Sequence, residues 1–288
     1  MLPNFLIIGA HKAGTSSIYV YIQEHPDVYM PELKEPRFFC YDEQNVAHVN
    51  KSRRVFPVRT LGEYQHLFIQ GSSSIAVGEA SPEYLNSHIA ASRIRETMPE
   101  VKLIAGLRHP VERAYSLYQM GFRSGRITLE FPDWIKEQLA GNDYTRFSLF
   151  YYENLKRYYD NFSNDQIMIY LFDELKSDPL GVVKEIYDYL GVDKEFEPDI
   201  SVKYNSGGMP KNKIIHKLFS VQKYKDVLKP MLPGFISRYG KKMYLKNLEK
   251  APSLNPDLKS ELNAVFKQDI IKLEMLVDRD LSSWLEEK

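Results

Sequence analysis

Residues 5–17 read FLIIGAHKAGTSS, and this stretch restricts the fold more tightly than any other part of the chain. Leu6, Ile7 and Ile8 form a short apolar run of the kind that fills a parallel strand buried on both faces. Gly9 breaks the run. Gly14, Thr15 and Ser16 then open a helical pattern that continues through Tyr19, Ile22 and Gln23. A strand, a glycine loop and a helix start, in that order, bring unpaired backbone N–H groups to one point at the positive end of the helix dipole. Lys12 adds a full positive charge inside the loop. The segment is built to hold an anion, a phosphate or a sulfate.

The spacing of Gly9 and Gly14 fits the G-x-x-x-x-G of a nucleoside-triphosphate loop, but that pattern continues with lysine. Here Thr15 follows, and Lys12 sits in mid-loop, away from where a γ-phosphate and Mg²⁺ would lie. A plain glycine turn with a solvated lysine is the bland alternative, and it leaves the later motifs unexplained.

With its lysine in that place, G-x-x-K-x-G-[ST]-[ST] behind an N-terminal strand resembles the 5′-phosphosulfate loop of sulfotransferases that use 3′-phosphoadenosine 5′-phosphosulfate (PAPS). His25-Pro26-Asp27-Val28 and Lys34-Glu35-Pro36-Arg37-Phe38-Phe39 resemble stretches of the carbohydrate, heparan-sulfate-type branch. The resemblance runs, with gaps, to Asp280-Leu281-Ser282-Ser283-Trp284-Leu285 and so covers essentially the whole chain. It implies an α/β fold with a P-loop-like central parallel sheet flanked by helices. It also implies a donor held at its 5′ end by His11, Lys12, Ala13, Gly14, Thr15 and Ser16. Lys12 would in addition stabilise charge building on the leaving phosphate.

A chain of 288 residues can form one large α/β domain or two small ones. There is no Gly/Ser-rich linker and no internal repeat, so a single domain over 1–288 is expected. The 38 basic and 38 acidic residues cancel, which argues against a general nucleic-acid coat and leaves room for a local basic cleft. Cys40 is the one cysteine, so no intrachain disulfide can form. Beside two phenylalanines it reads as a small buried residue rather than a nucleophile. The first apolar run is too short for a signal peptide, and no window approaches the roughly 20 apolar residues of a membrane span. Animal relatives of the carbohydrate branch usually carry a membrane anchor; a cytoplasmic bacterial enzyme without one is expected here.

Periodicity predicts strands over 5–8, 75–79, 102–107 and 166–171. It predicts helices over 15–24, 61–68, 87–98, 110–120, 131–139, 148–162, 179–190 and 256–276. Residues 30–59 read as a long loop, a feature often tied to function, and 201–254 as irregular and basic. Strands alternating with helices imply a mainly parallel sheet with ligands at the carboxyl ends of its strands.

The strand over 102–107 ends in Arg108-His109-Pro110, followed by a helix carrying Arg113 and Ser116. A guanidinium at a strand end offers bidentate contact to phosphate, although the same residues suit an ordinary capping turn. The segment LRHPVERAYSLY resembles the family's 3′-phosphate motif, which places that group on Arg108 and Ser116. Arg113 then reads as a brace for the helix and His109 as a turn residue. The two anchors together would recognise a 3′,5′-bisphosphorylated adenosine, which separates PAPS from ATP.

Sulfuryl transfer needs in-line attack and a base for the acceptor proton. Glu35, in KEPRFF, matches the glutamate that serves as base in the carbohydrate branch. By itself it reads as half of a loop ion pair with Lys34 or Arg37. Glu79 is the rival, expected to point into the same crevice from the strand end in GEASPEY. The family often has Glu-Lys-Ser-Pro there, and Ala80 removes that cation. Pro82 and Tyr84 fit the rest of the pattern and are expected to shape the pocket. Nothing around His48 or His66 favours either as a base. Tyr151, Tyr152, Tyr158 and Tyr159 are read as packing. Asn205 to Lys211 resembles the family's C-terminal loop near the nucleotide, with Lys211 reaching the 3′-phosphate.

The chain is thus expected to be a PAPS-dependent sulfotransferase with Lys12 and Glu35 catalytic. His11 to Ser16, Arg108, Ser116 and Lys211 would bind the donor, with no metal. The acceptor would be a hydroxyl, or an amine, of a carbohydrate, glycolipid or small molecule. No nucleic-acid partner and no membrane span are expected. A nucleotide-dependent kinase on a related P-loop fold and a non-catalytic nucleotide-binding module stand as alternatives.

Overall fold

The computed structural model describes residues 1–42, 56–141, 148–201, 209–210, 248–249 and 252–286. Two compact units divide the chain: Met1–His109, Phe147–Tyr204 and Gln268–Glu286 form the first, and Pro110–Arg146, Asn205–Lys267 and Glu287–Lys288 the second.

The first unit holds a parallel sheet of β1 (Phe5–Gly9), β2 (Val28–Tyr29), β3 (Ala76–Ala80), β4 (Lys102–Leu107) and β5 (Ile167–Leu171), in the order β2-β3-β1-β4-β5. β1 is central and buried along its whole length, as a continuous apolar run between two covered faces requires. The chain leaves β1 to reach β3 on one side and later β4 on the other. The carboxyl ends of these three strands therefore border the crevice where such sheets take ligands.

Helices α1 (Thr15–Gln23) and α8 (Pro179–Leu190) cover one face. Ile18, Ile22, Val183 and Ile186 pack there against Phe5, Ile7 and Ile104. Leu6 pairs in register with Glu79, so by strand alternation both face the opposite side. The first unit also contains α2 (Leu61–His66), α3 (Ala90–Thr97), α6 (Tyr152–Tyr159) and α7 (Phe172–Ser177).

In the second unit lie α4 (Pro110–Arg123), α5 (Phe131–Ala140), the start of α9 (Pro256–Val277) and an antiparallel pair, β6 (Met209–Pro210) with β7 (Leu248–Glu249). Tyr118 anchors α4 to α5: its ring meets Phe131 edge-on at 5.2 Å, and its hydroxyl donates to the Leu129 carbonyl at 3.2 Å. Arg113, read as a helix brace, is buried. Among the described residues no helix is long and apolar enough to cross a membrane.

Four of these elements escape the sequence reading, among them the β6–β7 pair, which falls within the 201–254 stretch read as irregular. β2 spans only two residues, too few for any periodicity, and α7 follows β5 without a spacer. Its first turn is closed by the Leu171 N–H donating to the Glu174 carboxylate at 2.9 Å. α6 begins at Tyr152 rather than at Ser148. The Asp269 carboxylate of α9 accepts the N–H groups of Tyr151 and Tyr152 at 2.8 and 3.0 Å, a cap supplied from 117 residues away.

Candidate active site

β1 runs straight into the glycine loop. The Ala10 N–H donates to Gly106 of β4 at 2.9 Å, and the Tyr170 hydroxyl donates to the Ala13 carbonyl at 3.1 Å, so both loop ends are tied to the sheet. α1 then starts with Gly14 at its N-cap, φ 86°, with no side-chain cap and no acidic residue in its first turn. A helix so begun keeps its first N–H groups for an outside anion. Gly14 is required on two counts: its left-handed backbone, and a Cβ there would stand 2.3 Å from Leu175 Cδ2.

A second segment is folded against the carboxyl end of β3. The Glu35 N–H donates to the Ala80 carbonyl at 3.2 Å, and the Arg37 N–H to the Ser81 hydroxyl at 3.1 Å. Lys34 reaches back to the glycine loop, donating to the Ser16 hydroxyl at 2.6 Å. Burial pulls the Lys34 pKa down while Glu35 raises it. The Glu35 carboxylate is paired with the Arg37 guanidinium, both side chains half-buried. Lys12, Glu35 and Arg37 have φ of 70°, 58° and 55°, three of the four left-handed non-glycine residues described. Such backbone costs about 1–3 kcal/mol per residue and gathers at functional sites.

Arg108, beyond β4, completes the rim. Its backbone N–H and carbonyl both bond the Tyr151 hydroxyl, at 3.1 and 3.0 Å. Its guanidinium lies 4.5 Å over the Phe172 ring and donates to the Lys12 carbonyl at 3.4 Å. The turn residue His109 contacts the Trp284 carbonyl at 3.2 Å, which gives the Asp280–Leu285 stretch its structural place.

Glu79 does not open into the crevice as expected from the strand end: it is 1% exposed. The Tyr64 hydroxyl donates to its Oε1 at 3.3 Å. Burial pushes its carboxyl from an ordinary 4.5 up to about 7, and Glu35 adds to the rise; the hydroxyls of Tyr84, Ser81 and Tyr64 oppose it. Unfolded, the group loses its proton near 4.5; folded, it keeps the proton to about 7. Between these values the folded chain binds more protons, so stability falls as pH rises, by about 3 kcal/mol in all. Glu79→Gln should flatten that fall. Urea denaturation at pH 5 and pH 8 would read it, and an equal slope in the variant would exclude Glu79 as its source.

Of the other expected site residues, Thr15 is buried and Ser16 half-buried at the head of α1. The His11 ring meets the Glu83 carboxylate at 3.0 Å. Ser116 lies half-buried on α4, in the second unit. Lys211 and His48 lie outside the described residues, and His66 is exposed at the end of α2. His25 is structural: it is buried, bonded to the Asp193 carbonyl at 2.9 Å and to the Asp27 N–H at 3.0 Å. Burial raises the Cys40 pKa, which suits a packed thiol rather than a nucleophile. Tyr151 and Tyr158 are fully buried. Among the described residues no cluster of His, Cys, Asp and Glu could hold a metal. Sequence reasoning missed the Lys34–Ser16 contact and the Tyr151 and Phe172 supports of Arg108. No spacing encodes them, because each joins segments far apart in the chain.

Comparison with known proteins gives concordant matches. A family model described as "Sulfotransferase domain" matches residues 2–269. The bifunctional heparan sulfate N-deacetylase/N-sulfotransferase 3 of Homo sapiens is 24% identical, over 100% of this chain and 31% of that protein. The heparan sulfate glucosamine 3-O-sulfotransferase 6 of Mus musculus is 29% identical, over 66% of this chain and 52% of that protein. This chain thus spans about a third to a half of the length of these curated relatives. A crystal structure of a sulfotransferase from Alicyclobacillus acidocaldarius superposes with a TM-score of 0.74 at 30% identity, covering 99% of this chain and 100% of that one.

Proposed function

The chain belongs to the sulfotransferase family, and from that premise we propose that it moves a sulfuryl group from PAPS to a hydroxyl or amine of a carbohydrate acceptor. The observation that carries this reading is the junction at Ser16. Lys34 ties the open N-terminus of α1 to the segment that presents Glu35, so an anion site and a carboxylate base share one rim. PAPS supplies an activated sulfuryl group. The loop amides, Lys12, Thr15 and Ser16 would hold its 5′ end, and Arg108 with Ser116 and Lys211 its 3′-phosphate. Glu35 takes the proton from the attacking hydroxyl or amine as the acceptor bond to sulfur forms. Lys12 stabilises the charge left on 3′,5′-ADP as the bond from sulfur to the bridging oxygen breaks. The heparan sulfate names of the relatives support a carbohydrate acceptor. The family match over residues 2–269 supports one sulfotransferase domain. A cytoplasmic setting fits a chain with a single cysteine.

Thermal unfolding with 3′,5′-ADP, ADP or Mg-ATP tests the donor site. At 100 times its dissociation constant, 3′,5′-ADP should stabilise the fold by about 2.7 kcal/mol, and Arg108→Ala should abolish most of that gain. Stabilisation by Mg-ATP in place of 3′,5′-ADP would favour a kinase. No response to any of the three would favour a non-catalytic module.

A further inference from the structure

We propose that Glu79 is a positioning residue for Glu35, acting in its protonated form through the aromatic clasp that seats the segment carrying the base. The inference rests on the sulfotransferase reading above.

The clasp is explicit in the ring geometry. Tyr64 of α2 stacks on Phe38 at 4.8 Å and meets Phe39 edge-on at 5.2 Å; Phe39 in turn meets Tyr84 at 5.7 Å. Phe38 and Phe39 directly follow Arg37, so their seating fixes where the Glu35–Arg37 pair stands. Glu79 lies beneath both tyrosines. Its Oε1 accepts from Tyr64, while its Oε2 is buried and makes no hydrogen bond of good geometry, nor does the adjacent Tyr84 hydroxyl. Protonated, Oε2 sits there as a neutral group that needs no counter-charge.

The surroundings favour the acid over the carboxylate. Among the described residues, the titratable and polar groups facing Glu79 are Tyr64 from α2, Ser81 and Tyr84 from beyond β3, Glu35 and Cys40 from the base segment, and Tyr158 from α6. They are hydroxyls, a thiol and a second carboxylate. An ionised Glu79 would be a buried charge without a counter-charge among them, repelled by Glu35. One carboxyl of the two is therefore kept neutral in the interior, and the other is paired with Arg37 at the rim. As Glu79 loses its proton, an uncompensated charge forms beneath the clasp and is repelled by Glu35, and the base segment loses its seat.

The test is the pH profile of kcat/KM for PAPS turnover with glucosamine oligosaccharides, in the wild type, Glu79→Gln and Tyr64→Phe, with 3′,5′-ADP binding followed in parallel. The wild type should lose activity on the alkaline side with a limb near pH 7. Glu79→Gln, permanently neutral, should move that limb outward by about one pH unit or more. Tyr64→Phe keeps the ring and removes the hydroxyl that stabilises the ionised form, so its limb should also move to higher pH. Should Glu79→Gln fail to fold, Tyr64→Phe carries the test alone. An unmoved limb in a variant that still binds 3′,5′-ADP and turns over would overturn this inference and leave the sulfotransferase reading intact. Loss of both 3′,5′-ADP binding and turnover in the wild type would overturn the reading itself, and the inference with it.

Discussion

Glu35→Gln is expected to lower turnover by about 10²- to 10⁴-fold, the usual contribution of a positioned base, while 3′,5′-ADP binds as it does to the wild type. The amide keeps the side-chain shape and cannot take the acceptor proton. The backbone that places the residue, its N–H on the Ala80 carbonyl and its left-handed φ of 58°, is untouched by the change. What is lost structurally is the ion pair with Arg37. Both partners are about a quarter exposed, so solvent screening limits that loss to about 1 kcal/mol or less. Steady-state kinetics beside calorimetric titration with 3′,5′-ADP separates the two effects. Turnover near the wild-type rate would remove Glu35 from the role of base.

The second large effect is expected at Gly14, where Gly14→Ala should destabilise the fold by about 2–5 kcal/mol and abolish 3′,5′-ADP binding. Two independent penalties add. A left-handed backbone costs a Cβ-bearing residue about 1–2 kcal/mol, and φ here is 86°. The new methyl would also meet Leu175 Cδ2 at 2.3 Å, an overpacking of a kind that costs about 1–3 kcal/mol. Urea denaturation in a Leu175→Ala background isolates the two. With the leucine shortened, the cost of Gly14→Ala should drop to the backbone part alone. An undiminished cost in that background would show that the clash is not what excludes a side chain at this position.

The loop shows how much a local pattern can carry. Strand, glycine and helix start follow one another within residues 5–23, and each reports its own geometry: an apolar run must be covered, a left-handed turn needs glycine, and a helix start exposes N–H groups. β4 matched its expected span at Lys102–Leu107 and α8 at Pro179–Leu190 for the same reason. Where an element is short or its end is set from a distance, local reasoning fails. α6 starts where Asp269 caps it, and β2 exists because β3 lies beside it.

At the candidate site the division is sharper. The glycine loop, Glu35 and Arg108 stand out in the sequence by motif, and they name the residues of the rim without saying what each touches. Tertiary structure decides that Arg37 rather than Lys34 pairs with Glu35, and that Lys34 instead bridges to Ser16. It also decides that Glu79 is sealed beneath Tyr64 and Tyr84 rather than open to the crevice. Composition and spacing specify which chemical groups a segment offers and its backbone preferences. Burial and partner choice arise only when strands distant in sequence lie side by side, and a carboxyl changes its character when water is removed from it.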